Sequence, residues 1–325
     1  MFSNFRLGIV GAGRWGVNHV RTASELLAHD HIIVCDGDAS AETKVKAISP
    51  DLKFTTNFNE LLQSEDLSAV IIATPAHTHY SVAKQALLAG KHCLVEKPIT
   101  LVSAEAEELV KIAEENKLVL MVGHVLLYHE AIRAIKAGLT SGKVGDLQYI
   151  YSNRLNLGAV RTEENSLWSF APHDISIMQY LTESNPTRVS SHGAAFIQPG
   201  IEDSTITVLE YPGNIHAHSF VSWLHPFKEH RLVVIGSKGM FVFEDTVKEN
   251  KLKFYSKGFK NVDGRIEPFE GSTEFVEIKK QAPLAEEQKH FFHCVLKGEQ
   301  PLTDGKHAVE VLRILEAAQK ELYNG

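Results

Sequence analysis

Three places in the chain carry residue types able to do chemistry: a glycine-rich turn at 11–16, a lysine at 97 and a histidine at 173. The turn reads Gly11-Ala12-Gly13-Arg14-Trp15-Gly16, a G-x-G-x-x-G that follows the apolar run 7–10 and opens a stretch, 15–27, with helical periodicity. A second apolar run, 32–35, ends in Asp36, twenty residues beyond Gly16. Strand, glycine turn, helix, strand and acidic residue in this order form the first half of a dinucleotide-binding βαβ unit. Gly11 permits the tight turn, Gly13 lets backbone approach a pyrophosphate, and Gly16 lets the helix pack against the strand. The helix N-terminus offers N–H groups and positive dipole to the phosphates. Asp36 is placed to accept from ribose hydroxyls, which predicts NAD rather than NADP. Asp38 adds negative charge nearby, and no lysine or arginine follows before Lys44.

Lys97 needs strands and helices to hold it. A capped helix start at 57–60 precedes the apolar strand 69–73, which ends in Thr74-Pro75-Ala76. A helix at 81–88 closes at Gly90, and strand 93–95 ends in Glu96-Lys97-Pro98. A helix at 103–115 and a strand at 118–122 continue the alternation, which predicts a parallel, doubly wound sheet. Ligands of such sheets lie at the carboxyl ends of the strands. The glycine turn, Thr74-Pro75 and Glu96-Lys97-Pro98 are therefore expected on one crevice. Near a nicotinamide, the Lys97 ammonium can hydrogen-bond a substrate hydroxyl and ease its deprotonation. A plain ion pair with Glu96 is the structural alternative.

Beyond residue 125 the pattern changes. Strand-like runs at 147–156, 188–196, 204–211, 215–223, 231–235, 240–244 and 251–255 follow one another with turn signals between them. One helix, about 173–181, interrupts them, and helices at 284–296 and 307–323 close the chain. The expected architecture is α/β: a Rossmann domain over 1–125, then an α+β domain over 126–325 with an open, mainly antiparallel sheet. The formal charge of −7 over 325 residues argues against a nucleic-acid or anionic-membrane surface. No apolar run approaches the ~20 residues of a membrane helix. Three scattered cysteines and a strand close to the N-terminus predict a reducing, cytoplasmic setting without a signal peptide.

The ordered set of G-x-G-x-x-G, Ala73-Thr74-Pro75 with His77-Thr78-His79, Ala89-Gly90-Lys91-His92 and Glu96-Lys97-Pro98 resembles the glucose-fructose oxidoreductase/inositol dehydrogenase (Gfo/Idh/MocA) family. The closing segments 287–294 and 297–304 resemble it as well. This likeness implies an NAD-dependent oxidoreductase acting on sugars, cyclitols or nucleotide-sugars, with Lys97 as catalytic lysine. It also implies a dinucleotide site made of Gly11, Gly13, Arg14, Trp15, Gly16, Asp36, Thr74, Pro75, His79, Glu96 and Lys97. A family histidine on the first helix of the second domain serves as general acid/base, and His173 matches it; imidazole suits the task because its ordinary pKa lies near working pH. Where the family often has Asp four residues earlier, this chain has Ser169.

The segment from Asn153 to Trp168 leads into His173, and family substrates bind there. Its Arg154, Arg161, Asn165 and Trp168 suit a polar ligand that carries phosphate. The stretch 165–176 resembles the branch with UDP-N-acetylglucosamine 3-dehydrogenases, implying a UDP-N-acetylhexosamine or its uronic acid oxidised at C3. An inositol, polyol or free-sugar dehydrogenase and a non-enzymatic dinucleotide-binding regulator are the alternatives. The likeness further implies a homodimer or homotetramer built through the C-terminal sheet. The pairs His77/His79 and His216/His218 have chelating spacing but lack completing ligands, so no metal is expected.

Overall fold

The computed structural model describes residues 2, 5–158 and 160–324. The chain divides into two compact units, one of 1–128 with 281–312, the other of 129–280 with 313–325.

In the first unit six strands run parallel: β1 (Leu7–Val10), β2 (Ile32–Cys35), β3 (Lys53–Thr55), β4 (Ala69–Ile72), β5 (His92–Val95) and β6 (Leu120–Val122). Their order is β3-β2-β1-β4-β5-β6. Helices α1 (Arg14–Leu26), α2 (Ala41–Lys46), α3 (Phe58–Gln63), α4 (His79–Leu88) and α5 (Ser103–Glu115) connect them. β1 and β4 are buried at every position, which is why they read as unbroken Val/Ile/Leu-rich runs without alternation. The cap expected at Asn57 is present, its side chain accepting from Glu60 N–H at 3.2 Å. The short β3 carries no apolar run and escaped the sequence reading.

The second unit opens with α6 (Glu130–Thr140) and holds an eight-stranded sheet. Its strands are β7 (Leu147–Leu157), β8 (Arg188–Ala194), β9 (Ser204–Tyr211), β10 (Ile215–Ser222), β11 (Leu224–Gly236), β12 (Met240–Glu244), β13 (Leu252–Val262) and β14 (Arg265–Phe275). The order is β14-β13-β12-β11-β7-β10-β9-β8, antiparallel except where β10 runs parallel to β7. Helix α7 (Ser166–Thr182) packs on β7, β9 and β10. The remaining helices are α8 (Pro283–Lys297) and α9 (Gly305–Asn324). Residues 281–312, grouped by sequence with the second domain, pack with the first unit.

Two differences bear on the site. α6 precedes α7, so His173 is not on the first helix of its unit. α7 also begins at Ser166, because Asn165 caps it by accepting from Trp168 N–H at 3.2 Å. The expected start near 173 is therefore late, and Pro172 lies inside the helix.

His230 on β11 stands opposite Arg154 on β7. Burial, then the positive charges of Arg154 and Lys228, push its pKa from 6.5 to about 4. The unfolded chain therefore binds one more proton than the fold in that window. Stability is full above pH 6.5 and falls as the pH drops toward 4, by about 2 kcal/mol after allowing for partial solvent screening. Denaturant melts of wild type and His230→Gln across this range should show the variant losing less.

Candidate active site

At the carboxyl end of β1 the chain makes two close approaches that only glycine allows. Gly11 has φ +95°, and a Cβ there would lie 2.7 Å from the Ala73 carbonyl oxygen. A Cβ on Gly16 would come within 2.0 Å of the Gly11 carbonyl oxygen, so α1 meets β1 backbone to backbone. Gly13 is the opposite case: a Cβ there would meet nothing within 4 Å, and no side chain caps α1. An exposed glycine before an uncapped helix N-terminus is a cradle for a pyrophosphate. Asp36 braces the turn, its Oδ2 accepting from Ala12 N–H at 2.6 Å and its Oδ1 from Asp38 N–H at 2.9 Å. Asp38 is fully engaged with Ser40, whose hydroxyl and N–H lower its pKa. Arg14 is exposed in the first turn of α1.

The ends of β4 and β5 lie beside this turn in the sheet order. Thr74 is half-buried and Pro75 exposed. His79, expected to meet the dinucleotide, is buried, with Nδ1 2.7 Å from the Pro98 carbonyl and Nε2 2.8 Å from that of Thr74. Burial pushes its pKa down, against the pull of both carbonyls. It ties the β4 loop to the turn that follows Lys97. Glu96 is likewise turned inward: its Oε1 accepts from the Trp15 indole N–H and lies 2.8 Å from His19 Nε2, and its Oε2 accepts from Lys97 N–H at 3.1 Å. Trp15 thus anchors by its N–H while remaining 40% exposed. Lys97 follows at the strand end, half-buried, before a cis peptide to Pro98.

In the second unit, His173 is half-buried in the middle of α7. The next residue, Asp174, forms a two-bond ion pair with Arg154, at 2.7 Å to Nη2 and 3.1 Å to Nε. Both side chains are largely buried. Arg154 is therefore charge-paired within the chain. Asn165 Nδ2 donates to Glu202 at 2.6 Å and Gln319 at 2.9 Å while its oxygen caps α7, and Trp168 Nε1 donates to the same Gln319 oxygen at 2.9 Å. These two residues serve the architecture of α7. Arg161 is exposed, with Glu164 3.4 Å away. Residue 159 of this segment lies outside the described residues. His79 and His218, from the pairs weighed as metal ligands, have other partners; His218 stacks on Tyr151 and bonds the Tyr149 hydroxyl at 2.7 Å.

Sequence reasoning missed His19, Gln288, Glu287 and His124. His19 lies four residues after Trp15, the spacing that puts two side chains on one helix face, and could have been paired with it. Glu287 and Gln288 come from α8, remote in sequence from β5, where no local signal operates. His124 ends the loop after β6, edge to face with His307 at 5.2 Å, and burial pushes its pKa well down.

Residues 5–124 match the family profile described as the oxidoreductase family with NAD-binding Rossmann fold, and residues 132–242 match the GFO/IDH/MocA C-terminal domain. The UDP-N-acetylglucosamine 3-dehydrogenase of Acidithiobacillus ferrooxidans is 31% identical over 196 residues, 60% of this chain and 59% of that protein, so the match spans under two thirds of that relative. Its solved structure superposes with a TM-score of 0.85 at 25% identity, covering 98% of this chain and 97% of that one. The NAD-linked scyllo-inositol 2-dehydrogenase of Bacillus subtilis is 27% identical over 334 residues, 98% of this chain and 94% of that protein. With both of its domains matched in order on an NAD-type glycine turn, the chain belongs to the GFO/IDH/MocA family of oxidoreductases.

Proposed function

We propose that this dehydrogenase oxidises a secondary hydroxyl of a UDP-linked N-acetylhexosamine, or its uronic acid, at C3. The observation that carries the chemical part is Lys97 at the carboxyl end of β5, in the sheet whose neighbouring strand ends present Thr74 and the glycine turn. NAD, when bound, supplies the hydride acceptor. Gly13 and the N-terminus of α1 would hold its phosphates on the turn that Gly11 and Gly16 shape, with Asp36 on the ribose side. The Lys97 ammonium donates to the substrate oxygen and stabilises the negative charge that grows there. His173 takes the hydroxyl proton in oxidation and returns it in reduction.

The nucleotide-sugar reading is supported by the likeness to the Acidithiobacillus enzyme and by Arg161, whose exposed guanidinium has, among the described residues, only a surface ion-pair partner three residues on. A cyclitol or free-sugar substrate is the second reading. The compensated Arg154 favours it, because it leaves one cation fewer for a diphosphate. The sheet face turned away from α7 carries Ile206 and Val208, 46% and 37% exposed, which supports association of copies through this sheet.

Lys97→Ala and His173→Ala should each lower kcat by about 10²–10⁴ while NAD affinity stays nearly unchanged. Steady-state kinetics with fluorescence titration of NADH checks this, and near-normal turnover removes the role from that residue. NADH should bind at least about tenfold more tightly than NADPH, because Asp36 and Asp38 repel a 2′-phosphate. Equal affinities by the same titration would overturn the role given to Asp36. In a thermal-shift screen with NAD, UDP-N-acetylglucosamine should raise Tm where N-acetylglucosamine does not. Arg161→Ala should weaken its binding by about 1.5–3 kcal/mol. Turnover of free inositols or hexoses without any response to UDP or UDP-sugars hands the assignment to the second reading.

A further inference from the structure

A pair of buried carboxyl groups is built into the first unit beneath Lys97. Glu96 receives hydrogen bonds from the Trp15 indole, His19 and the Lys97 backbone. The Gln288 amide donates to His19 Nδ1 at 3.0 Å and to the His19 carbonyl at 3.2 Å. With Nδ1 accepting, the imidazole N–H lies on Nε2 and faces Glu96. Gly123 leaves room for the carboxylate, since a Cβ there would sit 3.1 Å from Oε2 and 3.3 Å from Oε1. Glu287, adjacent to Gln288, has no exposed surface, and neither of its carboxyl oxygens has a hydrogen-bond partner among the described residues. An ionised carboxylate buried without donors is far costlier than the neutral acid.

We propose that Glu96 is a positioning residue for Lys97, kept as the ionised member of a carboxyl pair in which Glu287 holds the single proton. The proposal rests on the reading of Lys97 given above. Donors crowd one carboxyl group and are missing from the other, and that asymmetry assigns the proton. Burial, followed by the charge of Glu96, raises the Glu287 pKa well above the ordinary carboxyl range. Burial also raises that of Glu96, but the hydrogen bonds from His19 and the Trp15 indole and the charge of Lys97 outweigh it and leave it lowered. The other titratable groups acting here are His79, which feels both Glu96 and Lys97, and His124, which feels Lys97 and His307. One negative charge is thereby fixed at the base of the lysine, in an orientation set by two donors on α1 and the Lys97 N–H just beyond β5.

The test compares Glu96→Gln, Glu96→Asp, Glu287→Gln and Lys97→Ala in the full chain. Infrared difference spectra at mildly alkaline pH should show a protonated-carboxyl band in the wild type that is missing from Glu287→Gln. Kinetics use NAD with UDP-N-acetylglucosamine, or with the inositol or hexose that the screen identifies. Glu96→Gln should lower kcat about 10- to 100-fold with KM for NAD within about threefold. It should also move the alkaline limb of the kcat profile to lower pH, since loss of the neighbouring anion disfavours a charged lysine. Glu96→Asp, which keeps the charge, should leave that limb in place, and it carries the kinetic test alone if Glu96→Gln does not fold. A band that persists in Glu287→Gln overturns the proton assignment. An inactive Lys97→Ala beside a Glu96→Gln of normal kcat and pH profile overturns the positioning role, whereas an active Lys97→Ala overturns the reading of the lysine itself.

Discussion

The backbone contact between Gly16 and Gly11 governs the geometry of the first unit. A methyl group on Gly16 would stand 2.0 Å from a carbonyl oxygen, so any other residue pushes α1 off the strand. With the helix seated, three further placements follow from its 3.6-residue turn. Its open N-terminus stands beyond Gly13, Trp15 reaches Glu96 from the first turn, and His19 reaches the same carboxylate from the second. The phosphate cradle and the residue before Lys97 are thus fastened to one rigid element.

The second unit solves a related problem with charge. α7 carries His173 along a surface in which most other side chains are buried, and the helix has little amphipathic contrast to fix its rotation. The Arg154–Asp174 pair supplies that fix, because a guanidinium bonded through two nitrogens has a definite direction. Removing one partner would strand the other's charge in a largely buried site, so the pair resists change singly. Asn165 sets where α7 begins, and its second contact to Gln319 ties that start to α9.

What could be read from the sequence follows from how local each signal is. The glycine turn, the apolar parallel strands other than β3 and the Asn57 cap depend on residues within a few positions of one another, and these were legible. The start of α7 lies at Ser166 rather than near 173, because Asn165 caps the helix there. Arg154, Asn165, Trp168 and His79 were marked as ligand-facing from their chemistry. The fold uses the side chains of Arg154, Asn165 and Trp168 to satisfy one another or neighbouring groups, and it uses His79 to join two backbone carbonyls. Such partners come from elements far apart in sequence, as Glu287 and Gln288 do for Glu96 and His19. Polar residue type shows that a group needs a partner but not which partner it has.

The chain has three tryptophans, and their surroundings differ sharply. Trp223 is buried and donates to Asp203, Trp168 donates to Gln319, and Trp15 alone combines substantial exposure with a bond to the Glu96 carboxylate. An indole hydrogen-bonded to an anion and open to solvent on one side emits at longer wavelength and is reached more readily by a soluble quencher than a buried ring. The emission of this protein therefore contains a component that belongs to the glycine turn. That component gives the dinucleotide end of the molecule an intrinsic optical label.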